Sequence, residues 1–445
     1  MTGSLASPLA FAVLLMATLV AQAAWPARRL LIVLGGAALS CTGAALAGVA
    51  PVTAVFAGVP WNVLLILVAL GLFTQRLADT RLFGLASVAL VRAAGARPAV
   101  LLVLATLGTY AVSSVVNNLT ALLVILPVLL TVFALAGVSQ RFLTAALGLL
   151  LVACNLGGAA TPIGDFPAVL LLGRGSMAFD DYLRAAMPPT LLALALMLLL
   201  VLARRPARDV PATPLGRRLT LATLAQLYRG VRLDRALLWP CTGALAGMAA
   251  GWLLLPPGWG IGPELVAWLG AGVALLARPA QGEAAIRGAV DVEAVLFLLA
   301  LFLMVGVVRE TGLFAQLAAM LQAVPLPPEG QLVLFLVVAA GVTGLFSAGP
   351  AMAALLEVAD VLARQFPADA VYVGLALAVC AGSSLFLTAA TAGPLMQSLT
   401  ERAALRGVDG QALQFGFREY LGVGLLGFAV ILAVAVARTL WVVAG

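Results

Sequence analysis

Long apolar runs with almost no charged side chains dominate this sequence. A membrane-spanning helix needs about 20 predominantly apolar residues, and runs of that kind occur at 8–24, 30–50, 60–75, 183–203, 236–255, 262–277, 291–308 and 417–437. Of all 445 residues, 63% are apolar and 10% are charged, which is more apolar surface than a soluble domain of this length can bury. The sequence therefore predicts an integral membrane protein. It excludes a soluble enzyme, a nucleic-acid-binding protein and a disordered chain.

The side chains that carry most enzymatic and metal chemistry are missing or scattered. The sequence has no histidine, the residue that ordinarily titrates nearest neutral pH, and this excludes haem, histidine–zinc and Ser–His mechanisms. The cysteines Cys41, Cys154, Cys241 and Cys380 lie in apolar runs without the spacing of a metal site, so we expect them to pack in the core. No glycine-rich phosphate loop ends in Lys-Ser or Lys-Thr. We therefore expect neither an enzyme nor an ATPase, and no cofactor.

The positions of the arginines indicate how the chain is oriented. All 25 basic residues are arginines, and the formal net charge is +7. Eight of these arginines lie in 204–235, and such an excess is typical of cytoplasmic loops. No positive charge precedes the run at 8–24, which we therefore interpret as a retained first helix rather than a signal peptide. The sequence predicts a multi-pass protein of a bacterial inner membrane, with both termini outside. The arginines that then face the outside are Arg174, Arg184, Arg309, Arg364 and Arg438.

The segments on either side of the arginine-rich loop resemble each other. Residues 62–83 and 293–314 align at a constant offset of 231, with eight of 22 positions identical and a shared acid-Thr-x-Leu-Phe ending. In the predicted orientation the first copy runs inward and the second outward, which is the inverted-topology repeat of many secondary transporters. We therefore divide the chain into an N-terminal transmembrane repeat (1–203), an arginine-rich cytoplasmic loop (204–235) and a C-terminal transmembrane repeat (236–445).

Three longer apolar stretches, 98–135, 141–173 and 328–400, are interrupted by polar residues, glycines and prolines. Most of the arginines lie on the cytoplasmic side if two segments, 98–135 and 328–363, are hairpins that enter and leave on one side. The segments 141–173 and 370–402 must then each cross once, as broken helices. The predicted fold class is an all-α polytopic membrane protein. It has about 10 crossing helices, two re-entrant hairpins, and two inverted-topology repeats whose broken helices meet at the midplane.

The polar residues of the first half fall in two segments at predicted membrane depth. Residues 113–120 read SSVVNNLT, and 155–167 contain three glycines, two prolines and an aspartate. Proline removes a backbone donor and glycine loosens the backbone, so the helix should break in the second segment. The bared carbonyls suit Na⁺, and the N-terminus of a half-helix suits an anion. Ser113 and Ser114 are equally compatible with simple hydrogen bonds to helix carbonyls.

These two segments resemble signatures of the ion transporter superfamily. Val116-Asn117-Asn118-Leu119-Thr120, followed by Pro127, is similar to its Asp-Asn-x-Thr hairpin motif. Residues 155–167 are similar to its Asn-x-Gly-Gly-x-x-Thr-x-Ile-Gly-Asp-Pro-Pro-Asn signature. The branch that the chain most resembles contains the arsenite permeases, bacterial Na⁺/H⁺ antiporters and the melanosomal P protein, and the divalent-anion/sodium symporters are more distant. The resemblance covers most of the chain and identifies it as a divergent member.

The resemblance implies that hairpins and broken helices meet around the substrate and its coupling ion. Carried over by position, the first ion site would use Asn117, Asn118 and Thr120, with a possible Na⁺ held at Asn117, Asn118 and Gly157. Polar residues of the second repeat, such as Ser383, would line the rest of the site. The full set of candidate substrate- or ion-binding residues is Ser114, Asn117, Asn118, Thr120, Asn155, Gly157, Gly158, Thr161, Asp165, Ser347, Ser383, Ser384 and Thr388.

The chain departs from the family pattern at several of these positions. The hairpin aspartate of the family is Asn117 here, which removes a charge that could carry a cation. In the second repeat, 347–350 read Ser-Ala-Gly-Pro where the family has Asn-x-Pro, and 382–388 lack the paired glycines and asparagine. A second Na⁺ site therefore does not follow from the resemblance.

Few ionisable residues remain at predicted membrane depth. An isolated carboxylate there tends to bind a proton or a cation, which makes Asp165 and Glu357 the candidates for proton coupling. Asp165 also stands where an N-cap of a proline-led half-helix would be, and Glu357 could equally be a rim residue of its hairpin. Asp79 and Glu310 are expected to be interface residues at helix ends.

No arginine is predicted near the midplane, which favours a cation or a small neutral oxyacid such as arsenite over a carboxylate. The sequence predicts an ion-coupled secondary active transporter of the arsenite-permease or Na⁺/H⁺-antiporter type, with H⁺ or Na⁺ as the coupling ion. The alternatives are a Na⁺-coupled symporter of a carboxylate such as citrate or of another anion, and a transport-incompetent sensor on the same fold. The expected partners are the lipid bilayer and a small ion or solute, and the resemblance alone implies a homodimer. Nucleic acid is not expected.

Overall fold

The computed structural model describes residues 6–25, 28–210, 213–255, 259–289, 292–407 and 410–444, and this part of the chain is helical without a β-strand. The two predicted external termini, 1–5 and 445, lie outside the described residues. The helices are α1 (Ala6–Ala24), α2 (Arg29–Leu46), α3 (Val52–Ala57), α4 (Trp61–Asp79), α5 (Leu82–Ala93), α6 (Pro98–Ser113), α7 (Asn118–Ala136), α8 (Gln140–Ala160), α9 (Phe166–Gly173), α10 (Phe179–Ala203), α11 (Pro214–Leu227), α12 (Arg235–Leu254), α13 (Pro263–Leu276), α14 (Pro279–Ala289), α15 (Val292–Glu310), α16 (Leu313–Gln322), α17 (Pro328–Phe346), α18 (Ala348–Leu362), α19 (Ala368–Ser383), α20 (Gly393–Arg402) and α21 (Phe417–Ala444).

Many of these helices have the length and composition of membrane spans. Within the described ranges, nine helices are long and apolar enough to cross a bilayer. They include α7 and α17, one arm of each predicted hairpin, while the other arms, α6 and α18, are shorter, with 16 and 15 residues. The predicted fold class, an all-α polytopic membrane protein, is confirmed.

The two halves of the chain repeat the same order of helices. Adding 231 to the bounds of α4 gives the bounds of α15, and the same shift carries α2, α5, α6 and α7 onto α13, α16, α17 and α18 within a few residues. We call α1–α10 the first repeat and α12–α21 the second repeat. α11 lies in the linker between them.

The two repeats are inverted relative to each other. Gly58, just before α4, packs against the guanidinium of Arg309 in the last turn of α15. Nearby, a Cβ placed on Gly306 would lie 3.4 Å from Cγ1 of Val55. The start of α4 therefore lies beside the end of α15. Both helices are long and apolar enough to span one bilayer, so the end of α4 and the start of α15 lie together on its other side, and the two equivalent helices run antiparallel.

The repeats interlock rather than form two separate domains. α4 packs along α13 of the second repeat, and α15 packs along α2 of the first. An ion pair joins the starts of the latter two helices, since Arg29 Nε lies 3.1 Å from Glu293 Oε1. One long helix of each repeat thus completes its packing on a helix of the other.

Each repeat packs its hairpin against a helix that is buried on all sides. The hairpin α6–α7 contacts α8, and the hairpin α17–α18 contacts α19. The most apolar window of α8 is 89% buried, which is typical of a helix that is hydrophobic all round. Ser139 caps α8 by accepting from Phe142 N at 3.2 Å. This central pair of helices, α8 and α19, carries the candidate site.

Candidate functional site

The first broken helix, α8–α9, ends and restarts within residues 155–167, where the sequence predicts a break. α8 ends at Ala160 and α9 begins at Phe166. Asp165 caps the second half, because its Oδ1 accepts from Phe166 N at 2.9 Å. Pro167 follows in the first turn, where its missing N–H costs no helix hydrogen bond. The predicted N-cap role of Asp165 is therefore confirmed.

The tip of the first hairpin is fastened to this break. Ser113 Oγ donates to Asn118 Oδ1 and also approaches Cys154 O of α8 at 2.8 Å. Thr161 Oγ1, the first residue after α8, donates to Ser114 O at 2.5 Å. The bond from Thr161 satisfies a backbone carbonyl at the turn of the hairpin tip, which is necessary in a water-poor interior.

Asn118 and Asp165 form the polar centre of the first repeat. Asn118 Nδ2 donates to Asp165 Oδ2 at 2.8 Å, and Asn118 is only 2% exposed. Gly158 makes this approach possible, because a Cβ there would lie 2.7 Å from Asp165 Cβ and 2.8 Å from Asn118 Oδ1. The amide and the carboxylate therefore meet only because residue 158 has no side chain.

The second broken helix, α19–α20, is also interrupted beside a hairpin tip, but it has no counterpart of the Asp165 carboxylate. α19 ends at Ser383 and α20 begins at Gly393, and 384–392 contain no acidic residue. The second hairpin packs against this break, since a Cβ on Gly382 would lie 2.6 Å from Thr343 Cβ. At the hairpin tip Ser347 has a φ of 74° and makes no side-chain cap bond. The two repeats are thus alike in shape and different in charge.

The two broken helices are hydrogen-bonded to each other. Asn155 Nδ2 of α8 donates to Ser384 Oγ at 3.0 Å and approaches Ser383 O at 3.3 Å. A tyrosine from the last helix of each repeat completes the junction. Tyr182 donates to Ala159 O at 2.9 Å, and Tyr420 donates to Ser384 O at 2.7 Å.

A small cavity lies at this junction and draws its walls from both repeats. The cavity has a volume of ≈ 10 Å³, which corresponds to about one water molecule. No arginine contributes to its lining. The lining residues are Asn155, Gly158, Ala159, Asp165, Pro167, Tyr182, Ala348, Ala376, Val379, Cys380 and Ser383. The carboxylate of Asp165 therefore faces a cavity the size of about one water molecule.

The structure brings together part of the predicted set. Four of the candidates line the cavity, namely Asn155, Gly158, Asp165 and Ser383. Three others contact them or close the adjoining tip, namely Asn118, Thr161 and Ser384. Ser114 contributes its backbone carbonyl to the tip, while its Oγ donates to Ala111 O. Gly157 packs against Tyr110 O and Ser113 Cβ.

The remaining candidates point elsewhere. Asn117 is exposed and caps α7, since its Oδ1 accepts from Thr120 N at 2.9 Å. Thr388 lies in the second break, is exposed and does not line the cavity. Ser347 precedes Ala348, which does line the cavity, but its own side chain does not.

Glu357 is not the isolated carboxylate that the sequence suggests. Its Oε1 lies 2.9 Å from Arg174 Nη1 and 3.9 Å from Arg309 Nη1. Arg174 also reaches Asp360 Oδ2 at 3.1 Å. This cluster joins the end of α9 to α18 and lies away from the cavity. Long-range pairing of this kind leaves no local sequence pattern.

Asp79 and Glu310 lie at helix ends as predicted. Asp79 is the last residue of α4, and its Oδ2 pairs with Arg76 Nη1 at 2.9 Å. Glu310 is the last residue of α15, where its Oε1 lies 3.5 Å from Arg309 Nη2.

Tyr182 and Tyr420 were not expected at the site. Each is the fourth residue of the last helix of its repeat, in α10 and α21. Their offset is 238 rather than 231, because the second break and its following loop are longer. A search for repeated tyrosines that allowed this difference would have found them.

Comparison with known proteins agrees with this architecture. The family model described as citrate transporter (CitMHS) matches residues 11–382. The chain is 30% identical to the magnetosome protein MamN of Paramagnetospirillum magneticum, covering 75% of this chain and 76% of that protein. It is 29% identical to an uncharacterised transporter of Mycobacterium tuberculosis strain H37Rv, with 78% and 80% covered.

A solved structure shares the fold. The YdaH transporter of Alcanivorax borkumensis superposes with a TM-score of 0.57 at 19% identity, over 88% of this chain and 86% of that one. The matches confirm the resemblance to the ion transporter superfamily. By its matched length, this chain belongs to the CitMHS citrate transporter family and is a multi-pass membrane transporter, not an enzyme.

Proposed function

We propose that the protein is a secondary active transporter that moves a small inorganic solute or cation, with H⁺ or Na⁺ as the coupling ion. The observation that carries this proposal is the position of Asp165. Its carboxylate faces the cavity where both broken helices meet, and its described hydrogen-bond donors are Asn118 Nδ2 and Phe166 N. Both donors are neutral, so the charge is left for a proton or a cation to balance.

The dimensions and charge of the cavity support a small cargo. A space for about one water molecule fits a dehydrated monovalent cation or a proton carrier better than a tricarboxylate. The lining adds an amide from Asn155, a hydroxyl from Ser383 and backbone from Gly158, which are the oxygen donors that Na⁺ uses at broken helices.

Of the three residues expected to hold Na⁺, namely Asn117, Asn118 and Gly157, we keep only Asn118 in the proposed site. Asn117 Oδ1 already accepts from Thr120 N, and Gly157 packs against Tyr110 O. We assign the side-chain contribution to Asn118 and Asp165, and the backbone contribution to the carbonyls at the end of α8. Operation in a bacterial inner membrane and as a homodimer belongs to the same proposal.

Na⁺-coupled symport of a carboxylate is the second candidate. The family description names citrate, and two helix N-termini reach the cavity, α9 at Asp165 and α18 at Ala348. Helix N-termini attract anionic groups because their N–H groups are free and the helix dipole is positive there. An anion would then bind together with the cation that neutralises Asp165.

Flux measurements on purified protein in liposomes separate the two candidates. An imposed pH gradient is monitored while Na⁺, Li⁺ or arsenite is added, and uptake of radiolabelled citrate is measured in parallel. We expect a cation or arsenite to collapse the gradient, and we expect Asp165→Asn to abolish this response. Asp181→Asn, an exposed acid in the first turn of α10, is the matched control and should behave as wild type.

Two results would contradict the lead proposal. Na⁺-dependent citrate uptake without collapse of the pH gradient would favour the symporter. Unchanged proton-coupled flux in Asp165→Asn would remove Asp165 from the mechanism.

A further inference from the structure

A large basic cleft lies at the end of the molecule opposite the cluster formed by Arg174 and Glu357. It has a volume of ≈ 990 Å³ and lies between the ends of α4 and α13, the helix α14 and the residues just before α12. Its size is at the upper end of the range of about 300–1,000 Å³ that is usual for ligand sites. The charged residues of its lining are Arg76, Asp79, Arg81, Arg232, Asp234, Arg235 and Arg278.

The two aspartates of this arginine cleft are already paired. Asp79 Oδ2 lies 2.9 Å from Arg76 Nη1, and Asp234 Oδ1 lies 2.8 Å from Arg278 Nη2. Asp234 also caps α12, since its Oδ1 accepts from Leu237 N at 3.2 Å. Across the described ranges, the other three arginines of the cleft have no acidic partner. The cleft therefore carries an excess of positive charge.

Arg76 is the second and independent sign of a ligand. Its side chain is 1% exposed, yet its Nη2 has no hydrogen-bond partner in the part of the chain that the structure describes. A buried charged donor without a partner is strongly unfavourable. Helix packing does not demand arginine here, because the equivalent residue of the second repeat, at an offset of 231, is Val307. An anion in the cleft would satisfy this donor.

Arg81 occupies a backbone position that favours glycine. Its φ is 65°, and its equivalent in the second repeat is Gly312 with a φ of 75°. Residues with a Cβ are uncommon and strained in this left-handed region. The first repeat thus tolerates strain that the second avoids, and the result is an arginine at the edge of the cleft.

An apolar stripe leads from the membrane-facing side of α13 to the cleft. Leu265, Leu269, Val273 and Leu276 are 49%, 69%, 50% and 75% exposed. Their spacing of three or four residues places them on one face of the helix. Arg278 follows directly after the end of this stripe and lines the cleft. An acyl chain along α13 would therefore bring a lipid headgroup to the arginines.

We propose that the arginine cleft binds the phosphate group of an anionic membrane lipid, with an acyl chain along the outer face of α13. Arginine matches phosphate with two parallel N–H···O bonds, and basic pockets between helices on the cytoplasmic side are known headgroup sites. Arg81, Arg232 and Arg235 hold the phosphate at the rim, and Arg76 Nη2 donates from below. A soluble phosphate-bearing anion has the same chemistry, and the experiment distinguishes the two sources.

The test compares two sets of three arginines in the full-length protein. The cleft variant is Arg81→Gln, Arg232→Gln and Arg235→Gln, and the control variant is Arg402→Gln, Arg406→Gln and Arg418→Gln, which are exposed outside the cleft. Melting temperatures are measured in detergent with added phosphatidylglycerol, phosphatidylcholine or inorganic phosphate, and native mass spectrometry counts the bound lipids.

We expect phosphatidylglycerol, but not phosphatidylcholine, to raise the melting temperature of the wild type and the control variant. The cleft variant should bind phosphatidylglycerol at least about tenfold more weakly, because each arginine near a headgroup contributes severalfold in affinity. Stabilisation by inorganic phosphate alone, lost in the cleft variant, would assign the site to a soluble anion. Equal stabilisation of both variants, or none by any probe, would overturn the proposal.

A single substitution guards against misfolding of the cleft variant. Arg81→Gly gives the first repeat the residue that the second has at Gly312, so it relieves backbone strain while removing one charge. We expect this variant to be folded and to bind phosphatidylglycerol severalfold more weakly. Undiminished lipid binding by Arg81→Gly would contradict the role of Arg81.

Discussion

Asn155 of the first broken helix donates from Nδ2 to Ser384 Oγ of the second at 3.0 Å, so one pair of side chains joins the two breaks. Asn155 is 4% exposed and Ser384 is fully buried. The bond is therefore shielded from bulk water and helps to hold the two repeats together.

Loss of this bond should destabilise the protein modestly and measurably. Interhelical hydrogen bonds in membrane proteins contribute about 0.6–1.7 kcal/mol. A double-mutant cycle of Asn155→Ala and Ser384→Ala, followed by unfolding in detergent, should give a coupling free energy in that range. Ser383→Ala is the control, because the Ser383 hydroxyl bonds to Cys380 O of its own helix. A coupling near zero for Ser384 would mean that the contact is incidental.

Gly158→Ala should disrupt the site while leaving the helix intact. The added Cβ would lie within 2.8 Å of Asn118 Oδ1 and 2.7 Å of Asp165 Cβ, so the two residues would have to separate. We expect a loss of about 1–3 kcal/mol in the free energy of unfolding and loss of transport. Gly341→Ala in α17, where a Cβ meets nothing within 4 Å, should be neutral or stabilising. Normal flux in Gly158→Ala would show that the contact of Asn118 with Asp165 is dispensable.

Substitution of Tyr182 or Tyr420 should lower the stability of the protein by similar amounts, but the two substitutions should differ in their effect on transport. Tyr182→Phe and Tyr420→Phe each leave a buried carbonyl without its donor, at a cost of about 1–3 kcal/mol. Only Tyr182 lines the cavity, so we expect Tyr182→Phe to change the apparent affinity for the transported ion. Thermal unfolding and flux are measured on both, with Tyr228→Phe in the linker as the control. Equal changes in ion affinity would assign both tyrosines a purely structural role.

Glu357→Gln should weaken the contact between α9 and α18 without altering proton coupling. Glu357 and Arg174 are 11% and 21% exposed, so the pair is shielded from solvent. Glutamine keeps a hydrogen-bond acceptor, and Arg174 keeps Asp360, so we expect a loss of about 1 kcal/mol. The exposed pair of Asp180 and Arg184 provides the control, since Asp180→Asn should cost less than about 0.5 kcal/mol. A shifted pH profile of flux in Glu357→Gln would instead restore Glu357 as a coupling residue.

The break in the first broken helix could be predicted because its cause is local. Glycines and prolines within 155–167 preclude a continuous helix, and Asp165 followed by Pro167 is typical of a helix start. The inverted repeat was also visible, since the constant offset of 231 survives in the sequence. The break depends on residues that are close together in the chain, and the repeat shows as matching residues at a constant offset.

The orientation of individual side chains could not be predicted in the same way. Asn117 and Asn118 are neighbours, yet one caps α7 at the surface and the other bonds to Asp165. Successive helix residues point about 100° apart, and a single sequence does not fix which of them faces the core. The ion pair of Glu357 with Arg174 spans 183 residues, so only the folded structure brings its members together.

The interlocked repeats also determine the order in which the protein can be completed during synthesis. α4 begins at Trp61 and its partner α13 begins at Pro263, so the ribosome must add about 200 residues before the partner exists. At 5–20 residues per second, that takes roughly 10–40 s. Throughout this interval Arg76 lacks Ala274 O, to which its side chain bonds in the finished protein. We therefore expect nascent chains truncated before α13 to be the preferred targets of membrane proteases.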